Sequence, residues 1–220
     1  MLFPRPVRAV VFDMDGLLIN SEIVIRDSMV ATARDMGAEL PHDVFIRMVG
    51  LTYAASDAVA QAHFGPDFPL ADFNAEVWRR AQVVFEAEDI LKDGVREILA
   101  HLEAADIPRA VATSSSHETV HGHLSPSGVY ASFQAIVARG DYAHGKPNPD
   151  PFLLAAERLG VAPMDCLALE DSHNGVRAAH AAGMMVVMIP DLLEATDEMQ
   201  TLCVAVAKTL HEVREALAVA

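Results

Sequence analysis

The chain has 220 residues, 52% of them apolar, and a formal charge of −15. That length suits one large domain or a domain with an insert, and the apolar share sustains a sizeable core. The acidic balance disfavours nucleic acid as a partner, no apolar run approaches the roughly 20 residues of a membrane span, and Cys166 and Cys203 make neither a disulfide framework nor a cysteine metal site.

The opening "MLFPRPVRAVVFD" has no small-residue cleavage site, so a cytoplasmic address is expected rather than a secretory one. Residues 7–12, "VRAVVF", are short and valine-rich and predict a buried strand. The strand runs out into Asp13, Asp15 and Gly16. Residues 19–86 lack clear valine-rich strands and predict helices at 21–37, 41–48, 53–63 and 71–87, with "GPDFPL" (65–70) as a loop. Trp78 is expected to pack within this insert.

From about residue 90 strands and helices alternate. The stretch 93–106 predicts a helix with Val95, Ile98, Leu99 and Leu102 on one face. Strands are predicted at 107–113, 133–138, 166–170 and 184–189, with a weaker sixth at 201–207. The helix at 149–160 opens on prolines and closes on glycine, and the one at 174–183 also ends at glycine. Such alternation predicts βαβ units and a parallel sheet. The expected fold is therefore α/β: a Rossmann-like, doubly wound parallel sheet formed by residues 1–18 and 87–220, interrupted by an all-helical insert at 19–86. Cys166, in a predicted strand, is expected to be inert, and Met184, Met185 and Met188 to fill the core.

Ligands of open parallel sheets bind beyond the carboxyl ends of the strands. Here those ends carry Asp13 and Asp15, then Thr113, Ser114 and Ser115, then Glu170 and Asp171. The loop "HGKPNPD" adds Lys146, one of three lysines in the chain with Lys92 and Lys208. If the ends converge, four carboxylates meet one ammonium and a hydroxyl cluster. Packed carboxylates need a cation, and oxygen-only donors select a hard one, Mg²⁺ above others. Beside it, Lys146 offers a second positive charge to a phosphoryl group. Asp13 can then attack phosphorus, and Asp15 can protonate the leaving oxygen and later activate water.

The stretches "DMDGLLINSE", "ATSS", "GKPNPD" and "LEDSHNGVRAAHAAGM" resemble the four motifs of the haloacid dehalogenase superfamily, in order and across essentially the whole chain. More narrowly they are similar to its β-phosphoglucomutase-like phosphatases with a helical cap. The resemblance implies Asp13 as nucleophile and Mg²⁺ ligand and Asp15 as acid/base with its carbonyl on the metal. It implies Thr113 and the Ser114 amide as phosphoryl binders, with Lys146 stabilising the group. Asp171 is implied as a metal ligand, and Glu170 as a ligand or its support. The insert becomes a cap, and "RMVGLT" (47–52) resembles a substrate-touching cap segment, with Arg47 a candidate for a second phosphate or for sugar hydroxyls. His117, just after the serines, reads as a helix-start residue or a substrate contact.

A dehalogenase is disfavoured because Asp15, Glu170 and Asp171 are all retained, and a binder that has lost catalysis is disfavoured for the same reason. A phosphomutase is the closer alternative. Mutases of that group carry a histidine where this chain has Ile25 and a lysine where it has Ser116, which favours a phosphatase. Asn20, in place of the group's usual aspartate, leaves the chemistry untouched. The expectation is a Mg²⁺-dependent phosphatase for a small phosphorylated metabolite, foremost a sugar phosphate. It needs no nucleic acid or membrane and acts as a monomer or weak homo-oligomer.

Overall fold

The computed structural model describes residues 3–51 and 53–218. It divides into two compact units, Asn20–Ile90 and a second made of Met1–Ile19 with Leu91–Ala220. Both crossings fall slightly later than the sequence suggested, and the backbone explains why. Ile19 bridges Leu91, and the Lys92 amide donates to the Leu18 carbonyl at 2.9 Å, which ties both stretches to the α/β unit.

The helical unit contains α1 (Ser21–Asp35), α2 (His42–Ile46), α3 (Tyr53–Phe64) and α4 (Leu70–Ala87). Along α4, Phe73, Val77, Ala81 and Phe85 recur every fourth residue and form one buried stripe. It packs on α1, which buries Met29 and Ala33. Arg80 of α4 joins the two helices through bonds of 2.7 Å to Asp35 and to Glu76. Phe64 stacks on Phe68 with centroids 4.2 Å apart, and Phe73 closes that aromatic corner. Trp78 packs within the insert, tilted against Tyr53 at 6.2 Å, but stays 48% exposed. As the neighbour of Val77 it is rotated roughly 100° off the buried stripe of its helix.

The α/β unit holds six parallel strands: β1 (Ala9–Phe12), β2 (Arg109–Ser116), β3 (Ala135–Arg139), β4 (Cys166–Glu170), β5 (Met185–Met188) and β6 (Ala205–Val206). Their order is β3-β2-β1-β4-β5-β6, the doubly wound Rossmann arrangement. β1, "AVVF", is buried throughout, as a strand covered on both faces must be. Each fully buried branched side chain in it contributes about 1.5–3 kcal/mol. The helices α5 (Val95–Ala104), α6 (His117–Leu124), α7 (Asp150–Leu159), α8 (His173–Ala181), α9 (Asp197–Leu202) and α10 (Leu210–Leu217) complete the unit. Small residues govern its core. Ala9, Ala110, Ala112 and Ala168 on the strands meet Ala155, Ala178 and Ala179 on α7 and α8, so backbones approach closely, and Phe152 fills the space that remains.

Two elements differ from the sequence reading. β2 continues through the serine cluster to Ser116 rather than ending at 113. α6 follows at once, begun by a Ser116 hydroxyl that accepts the Thr119 amide. The weak sixth strand shrinks to two residues because much of it is α9, capped by Thr196 and carrying Asp197 and Glu198 in its first turn. No helix among the described residues is long and apolar enough to cross a membrane.

Candidate active site

Order β3-β2-β1-β4 makes the gap between β1 and β4 the switch point of the sheet. Registers bring the chemistry level there. Phe12 lies opposite Val111 on one side and Leu169 on the other. The next residues out are therefore Asp13, Ala112 and then Thr113, and Glu170. The Asp13 amide donates to the Leu169 carbonyl at 3.0 Å, which continues the ladder to the carboxylate.

Lys146 enters from the loop before α7. Its Nζ lies 2.5 Å from Asp13 Oδ1 and 2.5 Å from Glu170 Oε1, with the lysine side chain 7% exposed. The ammonium also sits 5.1 Å from the Phe152 ring centroid, a cation–π contact from α7. Glu170 is fully buried, and its Oε2 accepts from the Asp171 amide, the Ser172 amide and the Ser172 hydroxyl, each at 3.0 Å. Asp13, Glu170 and Asp171 are all buried, with carboxylate oxygens within 4.8 Å of one another.

Two glycines make this crowding possible. A Cβ on Gly175, in the first turn of α8, would collide with the Glu170 carboxylate. Gly16 has φ +81°, and a Cβ there would collide with Asp171 Oδ2. The sequence reading noted Gly16 after the two aspartates without giving it this role, and passed over Gly175.

Asp15 lies on the other flank. Its Oδ2 accepts from the Ser115 hydroxyl at 2.7 Å, with Thr113 Oγ1 at 3.4 Å. Thr113 Oγ1 accepts the Ser115 amide at 3.0 Å, and the Tyr142 hydroxyl donates to the Thr113 carbonyl at 3.0 Å. Ser114 is exposed between them. Tyr142 carried no motif signal. Lys92, a second member of the short lysine list, pairs with Asp191 at 2.5 Å, and the Asp191 carboxylate lies within 4.8 Å of that of Asp171.

Electrostatics follow from burial. Desolvation pushes the Asp13 carboxyl up to about 8; the Lys146 ammonium opposes this, while the Glu170 and Asp15 charges add to it. Burial alone would lower Lys146, but the charges of Asp13 and Glu170 outweigh it and hold the ammonium well above the usual lysine range. Three buried carboxylates against one ammonium leave negative charge in a desolvated place. An oxygen-only donor set of that charge fits a hard divalent cation such as Mg²⁺, and Asp13, Asp171 and Glu170 could hold it.

Of the residues singled out in the sequence, Asp13, Asp15, Thr113, Lys146, Glu170 and Asp171 therefore gather at the strand ends, with Ser114 beside Thr113 on β2. Arg47 belongs to the helical unit, at the end of α2, where it pairs with Asp43 at 3.6 Å and its side chain is 59% exposed. Thr52, the last residue of the "RMVGLT" segment, lies outside the described residues. His117 is the first residue of α6 and bonds Asp141 at 3.0 Å. Cys166 is buried and its thiol is pushed up to about 11 by desolvation.

A doubly wound sheet with a lysine-bridged carboxylate cluster at its switch point defines a Rossmann-like α/β enzyme. The particular family follows from comparison: residues 7–183 match the model of the haloacid dehalogenase-like hydrolases, and the chain belongs to that family. It is 32% identical to hexitol phosphatase B of Escherichia coli (strain K12) over 199 residues, covering 86% of each protein. It is 30% identical to the phosphorylated carbohydrates phosphatase of Thermotoga maritima over 180 residues, covering 81% of this chain and 82% of that one. A crystal structure of a T. maritima protein provisionally named a beta-phosphoglucomutase superposes with a TM-score of 0.82 at 26% identity, over 96% of this chain and 99% of the other.

Proposed function

We propose that this chain is a Mg²⁺-dependent phosphatase that hydrolyses a small phosphorylated metabolite, a sugar phosphate, through an aspartyl-phosphate on Asp13. The observation that carries the reading is the placement of Lys146, 2.5 Å from both Asp13 and Glu170 in a buried cluster with Asp171. Asp13, Asp171, the Asp15 carbonyl and Glu170 would hold the ion. Bound there, Mg²⁺ supplies positive charge that offsets repulsion between the attacking carboxylate and the phosphoryl oxygens.

The chain's own groups do the rest. An Asp13 oxygen attacks phosphorus, and the bond from phosphorus to the ester oxygen breaks. The departing oxygen takes a proton from Asp15. Thr113 and the Ser114 amide receive the phosphoryl oxygens, and Lys146 neutralises charge that builds on them. A water then gives its proton to Asp15 and its oxygen to phosphorus, the bond to Asp13 breaks, and inorganic phosphate leaves with Asp13 restored. Glu170, held by Lys146 and by the turn into α8, keeps the cluster in shape.

The names of the two phosphatases above support carbohydrate phosphates as the substrate class. Arg47 is our candidate for the substrate's distal phosphate or hydroxyls. A phosphomutase is the second reading, favoured by the T. maritima neighbour and opposed by Ile25 and Ser116. The test is a phosphate-release screen over sugar phosphates with Mg²⁺. Asp13→Asn is expected to lower turnover on the order of a thousandfold or more, and chelation followed by Mg²⁺ to abolish and restore it. An isomeric phosphorylated product without phosphate release would establish the mutase instead.

A further inference from the structure

Asp13 and Asp15 stand two residues apart and carry different tasks, so something must aim them differently. Lys146 aims Asp13. We propose that Ser115 is the positioning residue for Asp15, its hydroxyl holding that carboxyl where it delivers a proton to the leaving oxygen; this rests on the acid/base reading of Asp15 given above.

Thr113 and Ser115 stand two residues apart on β2, in the stretch where its ladder to β3 is irregular. Their hydroxyls converge on a single oxygen, Asp15 Oδ2, at 3.4 and 2.7 Å. Ser115 is the nearer donor. Its geometry is fixed from three directions. Its amide is bonded to Thr113 Oγ1 at 3.0 Å. Thr113 is buried, and its carbonyl is held by the Tyr142 hydroxyl. The next residue, Ser116, is committed to capping α6. Asp15 follows the end of β1, joins Ile19 in an isolated bridge, and precedes Gly16 at φ +81°. A carboxyl in a turn is thus oriented by a hydroxyl whose own place is set by its neighbours on β2.

The consequence is specific to the leaving group. An alkoxide leaving from phosphorus needs the proton of Asp15, whereas p-nitrophenolate leaves without it. The measured quantity is kcat/KM, which reports steps through phosphoryl transfer to Asp13. Wild type, Ser115→Ala, Ser115→Thr and Asp15→Asn are compared on a sugar phosphate and on p-nitrophenyl phosphate with Mg²⁺. Ser115→Ala is expected to lose about tenfold on the sugar phosphate, the worth of one hydrogen bond to a carboxyl group, through kcat rather than KM. On p-nitrophenyl phosphate the loss is expected to be about twofold or less. Ser115→Thr, which keeps the hydroxyl and suits a strand, is expected to restore the sugar-phosphate rate. Equal losses on both esters, or no loss on either, would overturn the proposal while Asp15→Asn remained impaired. Asp15→Asn turning over the sugar phosphate at the wild-type rate would overturn the acid/base reading itself.

Discussion

Lys146 and Asp141 illustrate opposite fates of a charged side chain in this protein. Lys146 is buried between two carboxylates and binds the centre together. Asp141 sits at the end of β3 and gathers Arg158 at 2.9 Å, the Ala138 amide at 3.1 Å and His117 at 3.0 Å. Desolvation pushes its carboxyl up, but these three partners outweigh it and draw it down to about 2. The folded state therefore prefers ionised Asp141 more than the unfolded state does. Its stabilisation is present above the ordinary value of 3.8 and disappears as pH falls toward 2. Denaturant unfolding of wild type and Asp141→Asn is expected to show a constant difference from pH 7 down to about 4, shrinking below it. A gap that stays unchanged down to pH 2 would mean that the ionised form is not what matters. The same contacts explain why His117 was ambiguous in the sequence. Its helix-start position was legible, but its partner lies 24 residues away on another element.

At the scale of elements, the turn from β4 into α8 serves two purposes at once. Ser172 accepts the Gly175 amide at 3.1 Å as a helix cap and donates to Glu170 at 3.0 Å. Thr196 caps α9 by accepting the Met199 amide at 3.3 Å and, among the described residues, bonds no carboxylate. Thr196→Ala is expected to cost about 1 kcal/mol, and Ser172→Ala about 2 kcal/mol because a buried carboxylate also loses a donor. Equal costs in urea unfolding would show that the Glu170 bond contributes nothing. β1 and β4 were legible because both are short apolar runs that end in carboxylates. β2 was cut short because Ser114–Ser116 have turn-like composition, although its ladder to β3 resumes at Ser116 after an irregularity. α9 begins at a single hydroxyl cap that polar surroundings disguise. Gly16 and Gly175 could be read only once the carboxylates they accommodate were in place, because a glycine's necessity depends on a distant neighbour.

For the whole molecule, net charge is the dominant fact. At −15 the chain repels itself, and part of that repulsion is concentrated in the buried cluster. A divalent ion bound only by the folded state would relieve it. Mg²⁺ at about a hundred times its dissociation constant would add about 2.7 kcal/mol to stability. The thermal midpoint is expected to rise with Mg²⁺ in wild type and to stay flat in Asp171→Asn, measured by calorimetry at fixed ionic strength. An equal rise in the variant would trace the effect to screening of surface charge. The strand order bears also on biosynthesis. β1 lies between β2 and β4, which follow it by roughly 100 and roughly 160 residues, so at about 5–20 residues per second a ribosome delivers its partners only after seconds to tens of seconds. During that wait a sticky, unpaired segment hangs from the nascent chain while local helices can already form. Chaperone occupancy of the emerging polypeptide should therefore persist until Cys166–Glu170 has cleared the exit tunnel.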